Sequence, residues 1–148
     1  LYKTGYRTIQ TSAVIRNFGP EVSFGDEDPE TNNVDFESYP LPQTLVLGIS
    51  GFIISSASPM FFRSEEQRLR VAFEIVGPRD YGQQYNTGLE WGYKDLLFIR
   101  SGYKFNYDTQ GMSFGMGVRF NSFRGDYSYA SYGKYLFNIH RISAGIEF

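Results

Sequence analysis

One histidine, no cysteine and sixteen acidic residues set the range of chemistry open to this sequence. Without cysteine there is no zinc knuckle, thiol nucleophile or disulfide framework. His140 is the sole histidine, and histidine-based hydrolysis needs a nucleophile or carboxylate beside it. Ser128, Ser131 and Asp126 lie near it in the sequence, but no motif joins them into a triad. His140 therefore reads as structural and the chain as non-enzymatic. The densest acidic run is Glu21, Asp26, Glu27, Asp28, Glu30, Asp35 and Glu37, within residues 17–43, a stretch without Lys or Arg. Asp26, Glu27 and Asp28 are hard oxygen donors suited to a divalent cation. The spacing and glycine of an EF-hand loop are missing, so a solvated surface loop that recognises a partner is the better reading, without a metal. Gly115-Met116-Gly117 is no phosphate cradle, because no helix follows it. No cofactor is expected. The net charge of −2 carries no basic stripe, which argues against a nucleic-acid partner.

A second group of charges is defined by spacing. Arg68, Arg70, Glu74, Glu90, Arg100, Lys104, Arg119, Arg141 and Glu147 each alternate with large apolar residues. Period-two alternation is the mark of a strand whose two faces meet different surroundings. Met112 to Phe120 is the cleanest case: every even position is large and apolar, every odd one Ser, Gly or Arg. Similar patterns cover 68–75, 85–93, 97–105, 124–129 and 141–148. Residues 44–54 follow with Val46 and Phe52 blurring the phase, and 6–16 follow most weakly. About eight antiparallel strands are predicted, several of them 9–11 residues long, and no helix. These charges would share one face, lining a solute path or pairing with one another across strands.

The chain is one domain's worth of sequence at 148 residues, with 18% aromatic residues and 16 Gly. Its mean hydropathy is −0.35, and no apolar run approaches the ~20 residues of a spanning helix. Alternation alone does not separate a soluble β-sandwich, whose apolar face meets a second sheet, from an outer-membrane barrel, whose apolar face meets lipid. Three features favour the barrel. The strands have the ~9–11 residues that a tilted bilayer crossing needs. The polar faces hold glycines that are costly in solvent-facing strands. Aromatic residues (Tyr85, Trp91, Tyr93, Tyr103, Phe105, Phe120, Tyr129, Phe148) sit at strand ends, where an interfacial girdle belongs.

The terminal strand, with Ile142, Ala144, Ile146 and Phe148 on one face, is similar to the assembly signal of bacterial outer-membrane barrels. Several stretches resemble the PorV/PorQ family, a branch of FadL-like outer-membrane proteins. They are Ile15-Arg16-Asn17-Phe18-Gly19-Pro20, Leu41-Pro42-Gln43-Thr44-Leu45, Ile99-Arg100-Ser101-Gly102-Tyr103-Lys104-Phe105, Gly111-Met112-Ser113-Phe114-Gly115-Met116-Gly117 and His140-Arg141-Ile142-Ser143. The resemblance implies a transmembrane β-barrel in the bacterial outer membrane, of about fourteen strands, with this chain as its C-terminal portion. The alternative is a self-contained eight-stranded barrel. The resemblance further implies a role in type IX secretion and surface attachment of cargo, with secretion-system proteins or cargo as partners. A FadL-like channel for hydrophobic small molecules and a soluble β-sandwich binding module are the alternatives. With the C-terminus on the periplasmic side, connections 132–137, 106–110, 77–84 and the acidic 17–43 fall outside the cell. The two shortest turns, at Tyr93-Lys94-Asp95 and Asn121-Ser122, then face the periplasm. The Ser55–Glu66 connection is long for that side.

Overall fold

The computed structural model describes residues 2–27, 34–133 and 137–146. They form twelve strands and no helix: β1 (Tyr2–Lys3), β2 (Gln10–Arg16), β3 (Val22–Glu27), β4 (Val34–Tyr39), β5 (Thr44–Ser55), β6 (Phe62–Arg63), β7 (Gln67–Pro78), β8 (Gln84–Tyr93), β9 (Leu97–Phe105), β10 (Met112–Phe120), β11 (Phe123–Ala130) and β12 (Ile139–Ile146). β-Branched and aromatic residues at every second position, with Pro and Asn mostly at the breaks, account for strands over helices. One sheet runs β1-β2-β5-β7-β8-β9-β10-β11-β12 with every neighbouring pair antiparallel. Its eight long members are the eight segments expected from alternation, and β5 and β7 reach 12 residues. The fold is all-β and antiparallel. Among the described residues no pairing joins β12 to β1 or β2, so the sheet is open rather than closed into a barrel.

Which face is covered decides what kind of sheet this is. Among the described residues each strand's backbone comes close only to the strands it hydrogen-bonds to. Among the described residues no second sheet packs on either face, and the paired layers of a sandwich are not found. The apolar face is the exposed one: Phe114 is 48% exposed, Met116 51%, Val118 47% and Ile146 56%. The alternating polar face is the sheltered one, with Gly117 buried and Ser113, Gly115 and Arg119 half-buried. The two buried hydrophobic side chains, Val46 and Phe98, both belong to it. The shelter comes from the longer side chains of that face lying over its smaller residues, as Arg68 lies over Gly92 and Asp126 over Gly117.

The positions that blur the pattern in β5 have structural causes. Val46 turns to the polar face between Val14 and Val76, its register partners. Phe52 shares that face with Arg70, whose guanidinium carbon lies 5.9 Å from its ring centre. The register then shifts between Phe52 and Ile54, so the bulge at Ile53 returns Ile54 to the apolar face beside Leu69.

The connections differ sharply at the two ends of the sheet. At one end Lys94 and Asp95 both take positive φ (49° and 54°), and Leu96 N–H donates to the Tyr93 carbonyl at 2.9 Å. That mirror-image turn matches the twist of paired strands. Glu66 bonds the Lys94 ammonium at 3.0 Å and, with Tyr93, holds its pKa above the ordinary lysine value, so this contact persists until alkaline pH removes the proton. Asn121 takes φ 50° in the two-residue turn between Phe120 and Phe123. A β-branched side chain is strained there, so Asn121→Val is expected to cost about 1–2 kcal/mol, while Asn121→Gly stays near neutral. Urea unfolding midpoints of the two variants measure the difference.

The Ser55–Glu66 connection, unexplained by turn patterning, folds back onto β5. Where β2 ends, β6 pairs in parallel with Ile54 and Ser55. Met60 and Phe61 N–H groups donate to the Phe52 and Ile53 carbonyls at 2.9 and 3.2 Å. The segment thus supplies the ladder bonds that the short β2 leaves unmade. At the opposite end, the stretch read as a loop over 17–43 contains a hairpin instead. β3 and β4 pair from Val22↔Tyr39 to Glu27↔Val34, in a sheet separate from the main one. Val22, Phe24, Val34 and Phe36 carry the alternation, which the density of acids conceals.

Candidate functional site

Register assembles the charges of the polar face into rows. Arg70, Glu90, Arg100, Gly115, Ser128 and Arg141 are successive cross-strand partners from β7 to β12. Arg68, Gly92, Phe98, Gly117, Asp126 and Ser143 form the next row along the same strands. Glu74, Asn86 and Lys104 make a third row towards the long connections.

Arg100 is the centre of the arrangement. Its Nε donates to Glu90 Oε2 at 2.7 Å and its Nη1 to Asp126 Oδ1 at 2.9 Å. Arg124 Nε donates to the other Asp126 oxygen at 2.7 Å. The chain Glu90–Arg100–Asp126–Arg124 crosses four strands with two charges of each sign. Beside it, Arg68 Nη1 meets Asp95 Oδ1 at 2.7 Å, Arg70 Nη2 donates to Ser50 Oγ at 3.0 Å and Asn86 Nδ2 donates to Glu74 Oε2 at 2.8 Å. Phe98 lies among three guanidiniums, with Arg68, Arg100 and Arg119 carbons 4.9, 5.6 and 6.0 Å from its ring centre, within cation–π range.

Two glycines make room for this layer. A Cβ at Gly92 would fall 2.9 Å from Arg68 Nε and 3.4 Å from Phe98. One at Gly117 would fall 2.6 Å from Asp126 Oδ1 and 3.4 Å from Arg100 Nη1. Glycine on this wall therefore serves the flat-lying ion pairs. Further along the Arg100 row, the small residues Gly115 and Ser128 separate Arg100 from Arg141 and leave an open hollow of about 340 Å³. Arg141 is exposed and makes no ion pair among the described residues. The described side chains of this face are held mainly in charge pairs.

The expected site residues thus divide. Arg68, Arg70, Glu74, Glu90 and Arg100 join the paired layer, and Arg119 reaches it through Phe98. Lys104 is exposed, bonded to Gln110 Oε1 and lying 5.2 Å from the Tyr107 ring centre. Glu147 lies outside the described residues. Asp126, Arg124 and Phe98 are the members missing from the expected set. Asp126 and Arg124 alternate with Tyr127, and Phe98 has the parity of Arg100, so strand phase alone would have placed them.

Elsewhere the expected groups stay apart. Asp26 and Asp35 are register partners in the β3–β4 hairpin, and Glu21 accepts the Ser38 hydroxyl at 2.5 Å. Glu27 and Glu37 lie on opposite strands of the same hairpin, while Asp28 and Glu30 lie outside the described residues. No three acids or histidines converge as metal ligands among the described residues. His140 pairs with Tyr129 across β11 and β12. Its Nδ1 is 2.8 Å from the Tyr127 hydroxyl, and its ring packs against both tyrosines. That cluster is on the apolar face, whereas Asp126 and Ser128 have the parity of the polar face. Compared with protein families, curated proteins and solved structures, the chain has no match.

Proposed function

We propose that this chain forms part of the wall of a bacterial outer-membrane β-barrel, of the kind its resemblance to the PorV/PorQ family implies. The observation that carries the reading is the exposed apolar face, uncovered from β2 to β12 and bounded by aromatic rims. At the short-turn end the rim holds Tyr6, Phe61, Phe62, Phe120 and Phe123, each at least 63% exposed. At the other end Phe18, Tyr39, Tyr81 and Phe105 are exposed. Between them runs a band of Leu47, Ile49, Leu89, Ile99, Met116 and Val118, all more than 40% exposed. Contiguous apolar patches on soluble monomers stop at a few hundred Å², whereas a barrel carries a lipid-facing band ~25 Å tall between aromatic girdles. Among the described residues β12 has one unpaired edge and β1 covers only Gln10 and Thr11 of β2; such edges fit a larger barrel, because unpaired backbone groups in hydrocarbon each cost several kcal/mol.

Within that barrel the role we assign is an accessory of type IX secretion, in which the acidic β3–β4 hairpin and its neighbouring connections receive cargo proteins at the cell surface. A FadL-like passage for hydrophobic solutes asks for a continuous apolar lining, and the polar face instead carries ion pairs across four strands. Deleting residues 20–40 leaves β2 and β5 whole and is expected to lower surface-attached cargo at least tenfold, measured on intact cells. Unchanged cargo on cells that still hold the protein in the outer membrane would end the secretion role.

A further inference from the structure

We infer that the apolar face holds a specific phospholipid of the inner leaflet, with one acyl chain seated at Gly51 and the phosphate at Arg7. The inference rests on the membrane reading above and adds a ligand to it. Ile9, Ile49, Gly51, Met60, Val71 and Phe73, together with Ser50, Ala72 and Thr87, line a hollow of about 250 Å³. It exists because Gly51 offers no side chain where its row neighbours Val71 and Leu89 do. The returning connection then walls it: Met60 Sδ would lie 3.1 Å from a Cβ at Gly51, and Ile9 Cγ1 3.7 Å away. The surface of the hollow is mainly apolar, and Ile49, Gly51, Val71 and Phe73 have the parity of the apolar face.

A cation is tied to this wall. The exposed Arg7 donates Nη1 to the Met60 carbonyl and, at 3.4 Å, to the Pro59 carbonyl. Its guanidinium carbon lies 5.7 Å from the Tyr6 ring centre. No carboxylate pairs with it among the described residues. A guanidinium is the side chain best shaped to clamp a phosphate. Here it sits at the short-turn end, level with the exposed Tyr6, Phe61 and Phe62 rings that mark the headgroup zone. Apolar slot and unpaired cation are thus joined by one residue, Met60, in the order in which a glycerophospholipid presents tail and phosphate. The periplasmic position of the short turns selects a glycerophospholipid over lipid A, which occupies the opposite leaflet.

Native mass spectrometry of the full chain, extracted from outer membranes and offered dioleoyl phosphatidylglycerol or lipid A, tests this. One phosphatidylglycerol should stay bound per chain after detergent is stripped. Gly51→Leu, which fills the slot at the expense of a flexible Met60 tip, should lower the retained fraction at least tenfold. Arg7→Gln, on an exposed side chain, should do the same, while Ala144→Leu elsewhere on the apolar face should change nothing. Equal retention by all variants, an unspecific ladder of adducts, or preference for lipid A would overturn the site while leaving the membrane reading intact. A chain recovered without detergent in the soluble fraction would overturn both.

Discussion

Met116→Arg is expected to abolish stable membrane assembly, costing about 2–4 kcal/mol if residue 116 lies near the bilayer midplane. Met116 is 51% exposed, paired with Ile99 and Tyr127 in the centre of the apolar face. On a water-exposed surface the same substitution would change stability by no more than about 0.5 kcal/mol, because arginine keeps its hydration there. The contrast makes the variant decisive about which solvent meets this face. The readout is the yield of folded protein in outer-membrane fractions together with its urea midpoint after refolding into vesicles. Ser113→Arg on the polar face of the same strand is the control and should be tolerated far better. Normal assembly of Met116→Arg would remove the membrane reading.

Arg100→Ala is expected to destabilise the sheet by about 2–3 kcal/mol. Breaking a buried ion pair by removing one partner costs about 3–5 kcal/mol, and here the pair is only partly buried. The Arg100, Glu90 and Asp126 side chains are 36%, 30% and 20% exposed, so solvent screening trims the loss. The two carboxylates do not suffer equally. Asp126 keeps Arg124 at 2.7 Å, whereas Glu90 has no second ion pair among the described residues. Glu90→Gln in the Arg100→Ala background should therefore recover more stability than Asp126→Asn does. A double-mutant cycle read by urea unfolding separates them, and additive losses would show that the ladder is not coupled. Gly117→Val should mimic the damage without touching a charge, because its side chain would occupy the Asp126 carboxylate's place.

Much of this was legible from parity alone. Alternation located all eight long strands and put Arg68, Arg70, Glu90 and Arg100 on one face, since a pleated strand leaves a side chain only two directions. Pairing was not legible in the same way. Arg100 meets Asp126 across 26 residues, and that choice depends on register, which single-strand patterns do not encode. Phe98 misleads any reading by hydrophobicity: it lies on the polar side, where cations rather than lipid surround it. The hairpin within 17–43 was hidden because seven acids outweighed four alternating apolar positions. The Ser55–Glu66 segment could not be foreseen, since its backbone pairs with the edge of β5 beyond Ser50, left open because β2 begins only at Gln10.

That borrowed edge bears on the order of assembly. From β7 to β12 each strand pairs with its immediate successor in the chain, so every closure there spans a short loop and carries little entropic penalty. The β2–β5 seam instead closes over the whole 17–43 stretch and gains its last rungs only after β6 has doubled back. Local contacts form first, so the hairpin ladder ending at Ile146 zips up early and the amino-terminal seam is the final one to mature. Pulse-labelled hydrogen exchange would then register protection at Met116 and Ile99 before Ala13 and Leu47.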